Sequence, residues 1–409
     1  MIKASDYCAK IFDGTHDTPK PTLDGEYLVT SKCLLDGKID FSSAYKISKE
    51  DYDEVNKRSQ VSQYDILFSM IGTIGNTYLE ESPNINYAIK NIGVFSCRNR
   101  EKAIFLYYYL QSPYAKKYIE RGLDGAVQKF LSLEKMRNFP VPEFSESAYK
   151  AISELRRIDD KISTNNKIIE TSEKLMREIY DYWFVQFDFP DENGRPYKSS
   201  GGEMIYDENL NREIPKEWTV EKLGDTCKCL LGGTPSRNKP EYWGGSINWI
   251  NSGAVNEYRI SSPSETITEE GLKHTSTYLM PRNTTVLAIT GATLGQVSIL
   301  NIEACANQSV IGVVETDNMP TEYIYPSVML SLRKLLSNQT GAAQPHINKQ
   351  DVSNMLLVVP PKSIMSRYYS IAHPVYDTIL DLCMENKKLE ELRDWLLPML
   401  MNGQIKVGD

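Results

Sequence analysis

The side chains that most often do chemistry are sparse in this chain and do not converge. Histidine occurs four times, at His16, His274, His346 and His373, with no second histidine close by in sequence. Seven cysteines (Cys8, Cys33, Cys97, Cys227, Cys229, Cys305 and Cys383) are scattered and odd in number. Cys227 and Cys229 form a lone C-x-C without a second pair at metal-ligand spacing, so they read as strand cysteines rather than as a zinc site. There is no G-x-x-x-x-G-K-[ST] phosphate loop, no H-E-x-x-H and no G-x-S-x-G elbow. The G-T-I-G at 72–75 lacks the third glycine and the βαβ setting of a dinucleotide site. No catalytic residue and no metal ligand is therefore assigned.

What remains is recognition chemistry. "FDGTHDTPKP" (12–21) and "LGGTPSRNKPEYWGG" (231–245) share a Gly-Thr…Pro pattern with polar or basic residues. The candidates are Thr15, His16, Thr18 and Lys20 in the first loop and Thr234, Ser236, Arg237, Asn238 and Lys239 in the second. Hydroxyls and lysines can bond phosphates, while Arg and Asn can pair bidentately with guanine or adenine edges. Ser31 and Lys32, and Asn251 and Ser252, follow the next strands and complete the set. The competing reading is that all of these are Pro/Gly surface turns.

The two loops occupy matching places because the chain is written twice. "DILFSMIGTIGNTYL" (65–79) aligns with "TVLAITGATLGQVSI" (285–299) at a shift of 220, with Gly75 on Gly295 and Gly72 one place from Gly291. "YLVTSKCLLDGKID" (27–40) and "INWINSGAVNEYRI" (247–260) fit at the same shift. "GAVQKFLSLEKMRNFPVP" (125–142) sits against "GAAQPHINKQDVSNMLLVVP" (341–360), which places Gln128 with Gln344 and Lys129 with Pro345. A helical stretch precedes the last pair in each copy, "AIFLYYYLQSPYAKKYIERG" and "TEYIYPSVMLSLRKLLSNQTG". Four matches in one order, at nearly one offset, indicate duplication.

A long helix is expected after each copy, over 146–187 and 362–400. In the first, Leu155, Ile158, Ile162, Asn165, Ile169, Ser172, Met176, Ile179 and Trp183 recur at alternating threes and fours, a coiled-coil seam. In the second, Val375, Leu382, Leu389, Leu392, Leu396 and Met399 lie 220 places after six of the first helix's positions. A 40-residue helix is about 60 Å long and buries too little alone, so the economical partner is the other copy, paired antiparallel. Packing of each helix on its own globule is the alternative. Arg156, Arg157, Lys161 and Lys167 alternate with acidic residues and read as a solvated or partner-facing surface.

Between the copies, residues 188–217 are rich in Gly, Pro, Ser and charge and read as an extended connector. They hold eight acidic residues against four basic ones, half of the whole chain's net charge of −8. The global charge is therefore not the charge of a binding face. With 409 residues, 41% hydrophobic and 24% charged, the chain is a folded protein of two or three domains. No apolar run approaches membrane-spanning length, the start lacks a secretory apolar region, and the cysteine usage suits a reducing cytoplasm.

On these features the chain resembles the specificity subunits of type I restriction-modification systems, over essentially its whole length. "LGDTCKCLLGGTPSRNKPEYW" (223–243) is similar to the opening of their target recognition domains. "IDDKISTNNKIIETSEKLMREIYDYWFVQFDF" (158–189) resembles their central conserved region, and "PDENGRPYKSSGGEMIYDENLNREIPKEW" their connector. "TGAAQPHINKQDVSNMLLVVPP" (340–361) resembles the segment that closes a recognition domain. "GTHDTP" in the first copy departs from "GGTP" in the second, which weakens the first set of contacts.

The resemblance implies an α+β fold with internal pseudo-two-fold duplication. Its parts are recognition domain 1 (1–145), a central long helix (146–187), an extended connector (188–217), recognition domain 2 (218–361), a C-terminal long helix (362–400) and a tail (401–409). Each domain would read one half of a bipartite asymmetric sequence in double-stranded DNA, and the paired helices would set the spacer. The chain itself would carry no catalysis and no cofactor. Two modification subunits would transfer methyl groups from S-adenosylmethionine to adenine, and restriction subunits would add ATP- and Mg2+-dependent translocation and cleavage. The setting would be a prokaryotic cytoplasm. Tyr182, Trp183, Phe184 and Trp395 are candidate contacts to these partners, against the alternative of local core packing. A two-domain protein-binding scaffold without base readout is the rival function; a stand-alone enzyme lacks its clustered groups.

Overall fold

Short apolar runs bounded by turn residues become the strands of two small sheets in each half of the chain. The structure is a computed structural model that describes residues 1–35, 37–124, 129–337 and 347–401. Gln128, Gln344, Pro345 and His346, and the tail beyond Met401, lie outside the described residues. Two units result: Met1–Lys161 with the stretch from Leu389 onward, and Ile162–Lys388.

In the first unit, Asp65–Ser69 is buried at every position and forms an inner strand of a four-stranded antiparallel sheet. The order is Lys10–Asp13, Ile92–Ser96, Asp65–Ser69, Thr77–Leu79. A three-stranded sheet places Glu26–Thr30 between Tyr45–Ile47 and Tyr87–Lys90, parallel to the latter. The helix Arg100–Gln111 starts where the Asn99 side chain accepts from Lys102 N (2.9 Å). Its buried residues join Ile66, Phe68 and Phe95 in one core. The short helix Leu133–Arg137 then leads to Pro140–Val141, which pairs back on Ile2–Lys3.

The second unit repeats this order. Lys228–Leu231, Val310–Val314, Thr285–Ala288 and Val297–Leu300 follow one another in a sheet extended by Arg259–Ile260. Trp243–Ile250 lies between Glu265–Ile267 and the parallel Cys305–Ala306. Thr321–Ser337 supplies the covering helix, and Leu356–Val359 closes on Thr219–Lys222. The duplication is thus one of topology as well as of sequence.

The register of the repeat is finer than a single shift of 220. Gly75 N donates to Ser69 O (3.1 Å), and Gly295 N to Ala288 O (3.0 Å), so the second turn is one residue longer. Gly72 consequently corresponds to Gly291, and both sit at positive φ, +73° and +80°, in open space.

The first long helix runs Glu146–Tyr180 and ends in a π-helical turn, Asp181–Val185; the second runs Lys362–Met401. In the second unit the two are antiparallel: Asn165 meets Asn386, while Trp183 packs on Tyr368 with ring centroids 5.8 Å apart. Asn165 Nδ2 donates to Asn386 Oδ1 and to Glu385 Oε2, and Asn386 Nδ2 donates to Asn166 Oδ1, each at 2.8 Å. In the first unit Ile152 and Leu155 share a core with Leu397, Leu400 and Met401. There Asp159 accepts from Arg393 Nη1 (3.0 Å) and from Tyr108 OH (2.6 Å), and Arg156 bonds Glu81.

The positions of the expected seam differ in burial between the two helices. On the first helix Leu155, Ile162, Asn165 and Met176 are buried, with Ile158, Ile169 and Ile179 half-buried beside them. On the second helix the buried positions are Met365, Tyr368, Ala372, Tyr376, Ile379, Leu380, Asn386, Leu397, Leu400 and Met401. Val375, Leu382, Leu389, Leu396 and Met399 only flank that stripe, and Leu392 is exposed. Asn165 meets Asn386 across 221 residues, while the Asn165–Glu385 and Asn386–Asn166 bonds span 220. The apolar positions read from the repeat lie beside the buried stripe rather than on it. Packing on the globule also contributes, since Tyr180, Phe184 and Tyr368 lie in one cluster with Tyr323 and Trp218.

Residues 188–217 are not an extended connector. Met204–Asp207 and Arg212–Pro215 form an antiparallel hairpin, and Phe189 and Ile214 are buried in the second unit's core. The Asp188 carboxylate accepts from Ser199 N and Oγ, both at 2.7 Å. Local hydrogen bonds of this kind consume the polar residues that made the segment look unstructured. Among the described residues, no helix is long and apolar enough to cross a membrane.

Candidate nucleic-acid interface

Each polar loop leaves its sheet through a glycine that nothing larger could replace. Gly14 N donates to Ile92 O (2.8 Å) and Gly232 N to Val310 O (3.0 Å), the same bond in both copies. A Cβ on Gly14 would lie 2.4 Å from Ile89 O, and one on Gly232 2.1 Å from Asn307 O. The next amide repeats the pattern, with Thr15 N on Ile89 O and Gly233 N on Ala306 O. Thr15 therefore matches Gly233, and His16 matches Thr234, one place off the Gly-Thr alignment.

In the first unit the loop is held by its own side chains. Thr15 Oγ1 accepts from Asp17 N (3.1 Å). His16 is exposed, with Nδ1 2.8 Å from Asn91 Oδ1 and Nε2 3.1 Å from Asp13 Oδ2. Thr18 accepts from Lys90 Nζ, and Lys20 and Lys32 are exposed. Ser31 is buried and donates to Asn91 O (2.9 Å), so its hydroxyl closes the fold and is not offered to a ligand.

The second loop presents more. Thr234, Ser236, Arg237, Asn238 and Lys239 are all exposed, around a buried Pro235. Two indoles pin the backbone beneath them: Trp249 Nε1 donates to Gly233 O (3.1 Å) and Trp243 Nε1 to Ser236 O (3.3 Å). The Arg237 guanidinium lies 3.6 Å over the Trp243 ring and pairs with both oxygens of Glu265, at 2.6 and 2.7 Å. That pairing pushes Arg237 further up and holds the Glu265 carboxyl below its usual range. Lys239 Nζ donates to Tyr242 OH (3.0 Å), which raises its pKa, and Thr234 Oγ1 bonds Gln308 (2.5 Å). Asn251 accepts from Ala254 N (3.2 Å) as the cap of a short 3-10 turn that begins at Ser252.

The structure thus gathers the five polar residues of 234–239 on one exposed turn. The Ser31 hydroxyl and the Asn251 side chain are each taken up by a backbone partner within their own unit. Sequence reasoning missed Glu265, Trp249, Gln308, Asn91 and Lys90. Trp243 closes the "NKPEYW" run, but Glu265 carries no local signal and arrives through strand pairing, opposite Trp249. Of the partner-contact candidates, Trp183 and Phe184 are 5% and 4% exposed. They are core residues: the Phe184 ring lies 4.8 Å from both Tyr323 and Tyr368. Tyr182 and Trp395 are exposed, at 39% and 54%.

Comparison with known proteins agrees with this architecture. The family described as type I restriction modification DNA specificity domain matches twice, over residues 23–174 and 215–393. The chain is 24% identical over 354 residues to the specificity subunit of the type I restriction enzyme MjaIX from Methanocaldococcus jannaschii, covering 84% of this chain and 78% of that one. It is 24% identical over 312 residues to the HindI specificity subunit from Haemophilus influenzae, covering 64% and 67%. The crystal structure of a type I restriction-modification S subunit from M. genitalium shares the fold, with a TM-score of 0.58 at 13% identity over 97% of this chain and 94% of that one. Two family matches that span both copies, on two units of one topology, place this chain in the type I restriction-modification DNA specificity family.

Proposed function

We propose that this chain is the DNA sequence-specificity subunit of a type I restriction-modification complex. Each unit reads one half of a bipartite asymmetric site, and the long helices set the spacer and dock adenine methyltransferase subunits. The observation that carries this reading is the repeated unit itself. Two sheets of one strand order each present a polar loop through an irreplaceable glycine, Gly14 or Gly232. Duplex DNA repeats about every 34 Å, so two modules on a fixed spacer suit two half-sites. The loops have diverged, "GTHDTP" against "GGTPSRNKP", so the half-sites differ.

The chain specifies and its partners react. S-adenosylmethionine belongs to the methyltransferase subunits, ATP and Mg2+ to the restriction subunits, and this chain contributes no catalytic group. Its net charge of −8, half of it in 188–217, fits a subunit whose partners supply much of the phosphate-binding charge. Exposed Tyr182 and Trp395 are the side chains we assign to partner contact, and the complex works in a prokaryotic cytoplasm.

A gel-shift assay with the methyltransferase partner present tests this reading against a scaffold role. Sequence-specific retardation that changes when residues 218–361 are exchanged for another family member's supports it. Retardation indifferent to that exchange identifies a scaffold whose DNA contacts lie in other subunits.

A further inference from the structure

The second unit's loop contains one cation built differently from the rest. Arg237 is fixed on three sides: its guanidinium rests on Trp243, its loop backbone hangs from the Trp243 and Trp249 indoles, and its Nη1 and Nη2 grip Glu265. Glu265 is itself set by strand register, directly opposite Trp249. A guanidinium has five N–H donors in a planar fork. The end-on pair with Glu265 uses two of them. The Nε–H and the outer hydrogens of Nη1 and Nη2 remain, and Nε–H with its neighbouring outer Nη–H forms a second two-pronged edge.

Two acceptors in DNA fit such an edge, a phosphate and the O6/N7 pair of guanine in the major groove. Charge decides between them. Phosphate affinity comes from net positive charge that displaces counterions. The Arg237–Glu265 pair is neutral overall, and the carboxylate repels a phosphate oxygen brought beside it. Guanine is neutral overall, so the carboxylate costs less there than beside a phosphate anion, and the pair keeps its directional donors. Lys239, whose partner is the neutral Tyr242 hydroxyl, retains its charge and suits the phosphate role. The first unit's loop segment "GTHDTP" contains no arginine of its own.

We propose that Arg237 reads a guanine in the half-site of the second unit, and that Glu265 is the positioning residue that turns the free edge of its guanidinium toward the base. This rests on the specificity reading above and deepens it.

The test uses the full chain assembled with its methyltransferase partner and a panel of duplexes that vary each base pair of the cognate site. Arg237→Ala should flatten discrimination at one G·C position by about 5- to 150-fold and leave every other position and the other half-site intact. Arg237→Lys, which keeps the charge without the fork, should lose the same discrimination, and it carries the test if the alanine variant does not assemble. Glu265→Gln should reduce discrimination at that same position, and adding it to Arg237→Ala should cost nothing further. A uniform loss of binding on all duplexes with a shallower salt slope would make Arg237 a phosphate contact and overturn the proposal. Unchanged discrimination in either arginine variant overturns it as well, and unchanged discrimination in Glu265→Gln removes the positioning role. If exchange of residues 218–361 transfers the half-site while the arginine variants stay selective, this inference alone fails. If the exchange transfers nothing, the specificity reading fails.

Discussion

Removing Asn386 exposes how the two long helices hold their register in the second unit. Asn165 is fully buried and Asn386 nearly so. Asn386→Ala deletes two 2.8 Å hydrogen bonds, the one it accepts from Asn165 Nδ2 and the one it donates to Asn166 Oδ1. Asn165 Nδ2 keeps its bond to Glu385. At roughly 0.5–1.5 kcal/mol net per bond, the loss is about 1–3 kcal/mol. The sign for the pair is different. Asn165 Oδ1 is buried and has no hydrogen-bond partner, so the amides already carry a desolvation cost. Replacing both by leucine removes the bonds and that cost together, and the double variant should recover most or all of the stability. Its helices should hold their register less strictly, the role that buried polar residues play in coiled coils. Urea unfolding followed through Trp183 and Trp218 fluorescence reads the effect, since both indoles lie in this unit's core. An unshifted midpoint for Asn386→Ala, or a double variant destabilised by the sum of two alanine-like losses, would refute the reasoning.

Phe184→Ala should cost about 3–5 kcal/mol by emptying the aromatic cluster around Tyr323 and Tyr368, visible as a lower Tm. Trp395→Ala, at an exposed position, should leave Tm nearly unchanged while weakening capture of the methyltransferase partner in a titration. Glu173 gives a pH dependence. Burial raises its carboxyl to about 7, against the pull of Arg177 and Arg259 and with a small push from Glu170. Its folded pKa lies above the ordinary 4.5, so the folded state holds the proton more tightly. The stability from this group is complete below about pH 4.5 and falls as pH rises toward 7. Glu173→Gln should therefore raise Tm relative to the parent at pH 8, with the difference vanishing near pH 4.

The duplication, the two long helices and the paired polar loops were legible because glycine turns and apolar runs recur in order along the chain. Finer placement was not, for reasons visible in single residues. The second helix offers leucines at 382, 389, 392 and 396, which look like a seam, while the true stripe carries Tyr368, Ala372, Tyr376 and Asn386. Hydrophobicity alone favours the wrong face, because the aromatic and amide side chains are buried by tertiary partners. The segment 188–217 looked open because its polar residues satisfy one another locally, as Asp188 and Ser199 do. Ser31 was indistinguishable from a ligand-facing hydroxyl until Asn91 O was seen to receive it. Glu265, 28 residues from Arg237 in the chain, required the sheet.

Independent specification of half a DNA site by each unit is tested by mapping methylated adenines in a host that carries this chain and its partners. The map is compared before and after residues 1–145 are exchanged for those of a family member with a different site. The expected map is a bipartite motif in which one half changes to the donor's sequence while the other half and the spacer stay as they were. A motif unchanged in both halves, or altered in both, would contradict it.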